Sequence, residues 1–189
     1  THDGVRVFFL CNDALFARSP FYGDYADNAL RFGLFSKAVC ELVDKLPIAV
    51  DVIHCNDWHT GLVPVFLEEV YFKSEKLASV TVLSTLHDLM YQGHFPPSVL
   101  RQLGLSADLN HPDHLEFYGK INFLKGAVLY SDLLTTLSPT YAEEIQTKAG
   151  GNGLEGVLAR RKDDMVGIRI GLDERLFNPA NDRAIAGLK

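Results

Sequence analysis

The residues of this sequence that can do chemistry fall in three short polar segments. His54-Cys55-Asn56-Asp57-Trp58-His59 follows one apolar run, His87-Asp88 follows a second, and Gly171-Leu172-Asp173 follows a third. Imidazole, carboxylate and amide groups hydrogen-bond to hydroxyl groups, and Trp or Tyr rings stack on sugar rings. The three segments together favour a site for a sugar. Taken alone, Trp58 is equally typical of a core anchor at a helix start, and His87 of a structural histidine.

Other kinds of chemistry are less well supported. His54, Cys55, Asp57 and His59 lie close together and His87 and His94 can approach, but no HxxxH or CxxC pair is present, so we expect no metal. The sequence has no GxSxG elbow and no thiol-enzyme motif around Cys55. It also lacks the GxGxxG and GxxxxGK[ST] phosphate loops. The glycines of Gly150-Gly151-Asn152-Gly153 follow a predicted helix, which is typical of a surface turn.

Charge and composition exclude further classes. The net charge is −6, and only Arg160, Arg161 and Lys162 form a basic cluster, so we expect no nucleic-acid partner. No apolar run approaches the ~20 residues that span a bilayer, so we expect no membrane partner. The three cysteines, Cys11, Cys40 and Cys55, have no CxxC spacing, and we expect ordinary buried thiols in a reducing compartment.

Strands and helices are predicted to alternate along the chain. Strands are expected at residues 5–10, 51–55, 80–86, 133–137 and 165–170, and helices at 28–46, 60–71, 122–130, 138–147 and 154–161. The residues at 12–27 and 87–114 read as long loops, the second with one helical turn near 99–103. In the helix at 28–46 the apolar stripe contains Leu30, Leu34, Ala38, Leu42 and Leu46, beside Phe35, Val39 and Val43.

This alternation predicts an α/β fold with a Rossmann-like parallel sheet and helices on both faces. Ligands of such sheets bind beyond the carboxyl ends of the strands. The three polar segments all follow predicted strands, so we expect them to meet at one edge of the sheet.

Several of these segments, in order, resemble the motifs of bacterial glycogen synthases and plant starch synthases. The matching segments are Tyr22-Gly-Asp24-Tyr-Ala-Asp27-Asn28-Ala-Leu-Arg31-Phe32, His54-Cys-Asn-Asp-Trp-His59-Thr-Gly-Leu, Thr85-Leu-His87-Asp-Leu-Met-Tyr91-Gln92-Gly93, Asn122-Phe-Leu-Lys125-Gly, Leu137-Ser-Pro-Thr-Tyr141-Ala-Glu143-Glu-Ile145 and Gly153-Leu-Glu155-Gly156-Val-Leu158. The resemblance extends from Val5 to Pro179.

The resemblance implies one half of a GT-B enzyme, which transfers glucose from ADP-glucose to the non-reducing end of an α-1,4-glucan with retention of the anomeric configuration. It implies no metal and no cofactor other than the donor substrate. By resemblance, His87 is the catalytic residue beside the donor glucose, and the substrate-binding residues are Tyr22, Asp57, His59, Tyr91 and Gln92. The expected location is the cytoplasm of a bacterium or the stroma of a plastid.

The sequence also departs from the family pattern. The K-x-G-G-L loop of the family and its C-terminal nucleotide-binding domain have no counterpart, so we expect residues 1–189 to be a partial N-terminal, acceptor-side domain that is inactive alone and prone to self-association. Ile170 and Asp88 stand where the family has Asn. The alternative function is therefore a non-catalytic glucan-binding or regulatory remnant of the same family.

Overall fold

A computed structural model describes residues 3–175 and 177–180. The helices are α1 (Asp13–Phe16), α2 (Asn28–Lys45), α3 (Val63–Glu69), α4 (Val99–Leu103), α5 (Phe123–Tyr130), α6 (Pro139–Glu144) and α7 (Glu155–Arg160). The strands are β1 (Val52–Asn56), β2 (Thr81–Leu86), β3 (His94–Phe95), β4 (Glu116–Phe117), β5 (Lys120–Asn122), β6 (Leu133–Thr136) and β7 (Met165–Gly167). Among these residues no helix is long and apolar enough to cross a membrane.

The predicted parallel sheet is present, with strand order β1-β2-β6-β7. Each strand is added on the same side of the strand before it. Because crossovers between parallel strands are almost always right-handed, this order places the connecting helices on one face. Ile53, Val82 and Leu134 lie on that inner face and are at most 6% exposed.

The parallel sheet and the helices that flank it confirm the predicted α/β fold class. One face of the sheet, called the outer face below, stays partly open among the described residues: Val52 on β1, Leu133 on β6 and Val166 on β7 are 52%, 46% and 56% exposed. Alternating strands and helices do not reveal how far each face of a sheet is covered.

Helix α2 is predicted correctly, but its buried face is not. Leu30 and Phe35 of the predicted stripe are 36% and 37% exposed, whereas Ser36 and Cys40 on another face are at most 1% exposed. Small side chains let the neighbouring helices approach closely: a Cβ added at Gly33 would lie 2.4 Å from a methyl group of Leu103. Close packing, rather than hydrophobicity, selects the buried face here.

The predicted strand at residues 5–10 is wrong. Val5 forms an isolated bridge, residues 6–10 have no ladder partner among the described residues, and Phe9 is 83% exposed. Cys11, predicted to be buried, is exposed as well. The last strand ends at Gly167 rather than at residue 170. In both segments the apolar composition predicted a strand, but a strand also needs a neighbour with which to pair.

A three-stranded antiparallel sheet with the order β3-β5-β4 was not predicted. Strands β4 and β5 form a hairpin around Tyr118-Gly119, whose φ angles are 49° and 78°. Two left-handed residues are the signature of a type I′ turn, which matches the twist of a hairpin. This small sheet leads directly into α5 through Asn122.

Candidate functional site

Asp57 and His87 come directly after two neighbouring parallel strands, β1 and β2, and the structure joins them. The Asp57 backbone N–H donates to the carbonyl oxygen of Thr85 at 3.0 Å, and the Asp57 carboxylate accepts from the backbone N–H of His87 at 2.8 Å. The two loops are thereby locked together at the carboxyl edge of the sheet, where the sequence predicted a site.

Asp57 holds this position in an unusual conformation. Its φ and ψ are 53° and −170°, a region that glycine occupies freely and that other residues enter only at a cost. The strain turns the chain sharply from β1 into the 3-10 turn Trp58–Thr60. Backbone strain of this kind clusters at functional sites.

A cavity of about 390 Å³ opens beside these loops. Its lining residues are Phe21, Tyr22, Gly23, Asp24, Asn28, Arg31, Phe32, Asp57, Trp58, His59, Asp88 and Tyr91. An adjoining groove of about 530 Å³ shares several of these walls and also contains Asn56 and His87. Of the six predicted site residues, the structure thus brings together Tyr22, Asp57, His59, Tyr91 and His87.

Aromatic rings form one wall of the cavity. The rings of Trp58 and His59 stack at 4.1 Å, and the Tyr22 ring meets His59 edge-on at 5.9 Å. Trp58 also packs against Phe32 and Phe95 at the margin of the core. Both readings of Trp58 therefore hold in part: the indole is a core anchor, and it also lines the cavity.

Gly93 makes room for that indole. Its φ is +68°, and a Cβ added there would lie 2.5 Å from the Trp58 ring. Any side chain at residue 93 would therefore displace the aromatic wall. The glycine that ends the Tyr91-Gln92-Gly93 motif is explained by this contact.

His59 is kept neutral by its surroundings. Burial lowers the pKa of His59 below its ordinary 6.5, Arg31 lowers it further, and Asp57 opposes both effects. A neutral imidazole both donates and accepts a hydrogen bond, as a hydroxyl group does. The pair of His59 and Asp57 suits an uncharged, hydroxylated ligand.

Arg31 is a cavity residue that the predicted site omitted. Its side chain is buried, donates to Asn28 Oδ1 at 2.8 Å and to the carbonyl oxygen of Phe21 at 3.3 Å, and lies 5.0 to 5.8 Å from the rings of Phe16, Phe21, Tyr25 and Phe32. It therefore fixes the loop that carries Tyr22. The D-N-x-x-R-F spacing in the sequence was the signal that could have identified it.

Gln92 lies outside the cavity. The side chain is 4% exposed, donates to the carbonyl oxygens of Leu89 and Asn152, and accepts from the amide of Asn122. Gln92 holds the loop after His87 in place, and a contact of Gln92 with substrate stays a prediction.

The two buried thiols are not nucleophiles. Burial raises the pKa of both Cys40 and Cys55 to about 12, so both stay protonated near neutral pH.

No group of three or more His, Cys, Asp or Glu residues that could hold a metal ion occurs in residues 3–175 and 177–180.

The two departures from the family pattern lie in different places: Asp88 lines the cavity, whereas Ile170 is 66% exposed and does not.

Sequence comparison finds relatives along almost the whole chain. A family model described as the starch synthase catalytic domain matches residues 1–160. The glycogen synthase of Geobacillus thermodenitrificans (strain NG80-2) is 45% identical over 182 residues, which cover 96% of this chain and 37% of that protein. The glycogen synthase of Aquifex aeolicus (strain VF5) is 46% identical over 188 residues, covering 97% and 40%. The chain therefore spans about two fifths of the length of these curated relatives.

Structure comparison agrees with the sequence. The catalytic domain of starch synthase IV from Arabidopsis thaliana, solved bound to ADP and acarbose, superposes with a TM-score of 0.79 at 37% identity. The match covers 88% of this chain and 34% of that chain. Most of this chain therefore shares its fold with about a third of that solved catalytic domain.

Proposed function

Because this chain belongs to the starch synthase catalytic domain family, we propose that it forms the acceptor-side wall of a glucosyltransferase site in a GT-B fold. The reaction moves glucose from ADP-glucose to the non-reducing end of an α-1,4-glucan with retention. The chain contributes the glucan-facing groups and His87. The observation that carries the proposal is the convergence of Tyr22, Asp57, His59 and Tyr91 on one cavity beside His87.

Charge supports the assignment of this wall to the glucan. The cavity is lined by three carboxylates, Asp24, Asp57 and Asp88, against the single buried guanidinium of Arg31. Such a surface repels a diphosphate and accepts hydrogen bonds from uncharged hydroxyl groups. The aromatic wall of Tyr22 and Trp58 supplies faces on which glucose rings stack.

His87 has the position that a donor-side role requires. It is exposed at the carboxyl edge of β2, beside the cavity rather than inside it. Glucosyl transfer passes through a sugar with oxocarbenium character, and polar groups fixed in advance near the anomeric carbon stabilise the developing charge. The hydrogen bond from the His87 backbone N–H to Asp57 supplies that fixation.

The test is a chimera in which this chain replaces the matching 182 residues of the Geobacillus thermodenitrificans glycogen synthase. We expect the chimera to incorporate glucose from ADP-glucose into glycogen, and the α-anomeric proton of the product to show retention. The matched control carries His87→Ala and should lose incorporation. A correctly folded chimera that transfers nothing would contradict the proposal.

The isolated chain is the second control in this assay. One wall of a cleft cannot exclude water from the reacting groups or complete the donor site. We therefore expect the 189 residues alone to incorporate no glucose. Incorporation by the isolated chain would show that it contains a complete transferase site.

Glucan binding without transfer is a second candidate, favoured by Ile170. An exposed isoleucine at the position where the family has Asn cannot hydrogen-bond to a hydroxyl group. This candidate predicts that the chain is retarded in native gels that contain glycogen, while the chimera stays inactive even with Ile170→Asn. An unchanged mobility of the chain in gels that contain glycogen would rule out this second candidate function.

A further inference from the structure

The imidazole of His87 has a side-chain partner that no motif assigned. The ring nitrogen Nε2 lies 2.9 Å from Oδ1 of Asn56, the last residue of β1. An amide oxygen has no proton to give, so Nε2 must be the donor. In the neutral ring, the second nitrogen Nδ1 then carries no proton and can accept a hydrogen bond.

We infer that Asn56 is a positioning residue for His87, which keeps the proton on Nε2 and presents Nδ1 as an acceptor to a sugar hydroxyl group. This inference deepens the proposed function and rests on it. The residue does not touch the substrate in this role. Asn56 acts by fixing the rotation of the His87 ring and the nitrogen that carries its proton, and the His87 ring then contacts the substrate.

The two ties on His87 come from consecutive residues and hold different parts of it. Asp57 accepts from the backbone N–H of His87, and Asn56 accepts from its ring. The contact with Asp57 fixes the backbone of His87, and the contact with Asn56 fixes the direction of its imidazole ring. An exposed histidine with only a backbone contact would sample several rotamers, so the amide is what orders the ring.

Asn56 itself is held independently of its amide. Its backbone N–H donates to Thr60 Oγ1 at 2.7 Å, and its carbonyl oxygen accepts from the same hydroxyl at 2.9 Å. Its side chain is exposed, so a substitution there leaves no buried polar group unpaired. Variants at this position should therefore fold, which makes a clean test possible.

The test compares Asn56→Leu, which keeps the approximate size and removes the acceptor, with Asn56→Asp, which keeps an acceptor oxygen. In the isolated chain labelled with 15N, the shifts of the two His87 ring nitrogens are read through the non-exchanging ring protons on carbon. We expect the resonance of a protonated Nε2 and of an unprotonated Nδ1 in the parent and in Asn56→Asp, and shifts averaged over both tautomers in Asn56→Leu. Backbone amide spectra serve as the folding control. Ring shifts that are unchanged in Asn56→Leu, or already averaged in the parent, would overturn the inference.

The second readout uses the chimera. We expect Asn56→Leu to lower kcat by between about 10- and 100-fold with the KM for glucan within about twofold, since a misdirected group costs rate rather than affinity. Asn56→Asp should restore most of kcat. An unchanged kcat in Asn56→Leu would refute a positioning role. If the parent chimera transfers no glucose, the proposed function fails, while the ring shifts still decide whether Asn56 orders His87.

Discussion

Two residues of the site are held in backbone conformations that most side chains avoid, and they are so held for different reasons. Asp57 keeps φ 53° while its carboxylate accepts from the His87 N–H, whereas Gly93 has φ +68° at a place where the Trp58 ring leaves no room for a Cβ. Asp57 is a strained non-glycine residue that makes a polar contact. Gly93 is a glycine whose missing side chain avoids a clash with Trp58. Each can be tested by one substitution.

Asp57→Gly should leave the free energy of unfolding unchanged or raise it. The substitution removes backbone strain of about 1–3 kcal/mol and gives up one hydrogen bond of about 1 kcal/mol. At the same time the His87 amide, deprived of its acceptor, should exchange faster with solvent. Urea unfolding and hydrogen exchange measure the two effects. Asp57→Asn, which keeps both the strain and an acceptor, is the control, and a loss of more than about 1 kcal/mol in Asp57→Gly would contradict the strain.

Gly93→Ala should be strongly destabilising, by about 3 kcal/mol, because left-handed strain and overpacking against Trp58 add. Gly119→Ala is the matched control: its φ is +78°, but nothing lies within 4 Å of the added Cβ, so only the strain of about 1 kcal/mol remains. Trp58 is the single tryptophan, so its fluorescence follows unfolding in both variants. Equal losses in the free energy of unfolding of Gly93→Ala and Gly119→Ala would show that the Trp58 ring moves aside without cost.

The pH dependence of stability should report the neutral state of His59. Burial lowers the folded-state pKa of His59, and likewise that of His94, below 6.5. The unfolded chain therefore binds protons first, and the contribution of the two histidines to the free energy of unfolding should fall as the pH drops below about 6.5 and level off below their folded-state pKa. The loss at more acidic pH belongs to Asp27 and Glu41, whose pKa values are lowered by their hydrogen-bond partners. Urea titrations at several pH values measure this slope. His59→Gln should flatten it, and an unaltered slope in that variant would contradict the burial effect.

At the scale of elements, the sequence predicted best what is encoded locally. The helical turn expected near 99–103 is found at Val99–Leu103, and Ser138, where the helix at 138–147 is predicted to begin, accepts from the N–H of Tyr141 at 3.0 Å. Caps and turns depend on residues that are close together in the chain, so they can be predicted from the sequence. The strand at 5–10 failed because its pairing depends on residues far away.

The same distinction separates the site residues that were predicted from those that were missed. Asp57 and His87 were found because they follow neighbouring strands, and the ends of parallel strands must meet. Asn56 acts through the rotamer of its side chain, which no spacing records, whereas the D-N-x-x-R-F spacing could have identified Arg31. Gln92 lies next to Tyr91 in one motif, but Tyr91 lines the cavity and Gln92 is buried outside it, a difference that the motif does not reveal.

Gln92 joins elements of the fold, and its loss should cost stability. Gln92→Leu leaves the buried amide of Asn122 and the Leu89 carbonyl without this partner, so we expect a loss of about 2–3 kcal/mol. The same substitution at Gln146, a partly buried residue just after α6 whose side chain donates to the carbonyl oxygen of Ala142, should cost less than about 0.5 kcal/mol. Urea unfolding compares them, and equal costs would mean that the Gln92 network contributes little.

At the scale of the whole molecule, the open outer face of the sheet decides how the chain behaves in solution. The half-exposed Val52, Leu133 and Val166 share this face, and the residues at 5–10 add further exposed apolar side chains. Among the described residues, strand β1 lies at one edge of the four-stranded sheet. Contiguous apolar surface and open strand edges both favour association with another chain.

We therefore expect this chain to self-associate, with a sedimentation coefficient that rises with concentration. The double variant Leu133→Lys with Val166→Glu places a charge pair on the outer face without altering the net charge, and it should sediment as a monomer. The control places the same two charges at exposed positions away from that face, as Ala149→Lys with Gln102→Glu, and should associate like the parent. A parent chain that stays monomeric at all concentrations would mean that the outer face is too polar, through His54, Thr85 and Thr135, to drive association.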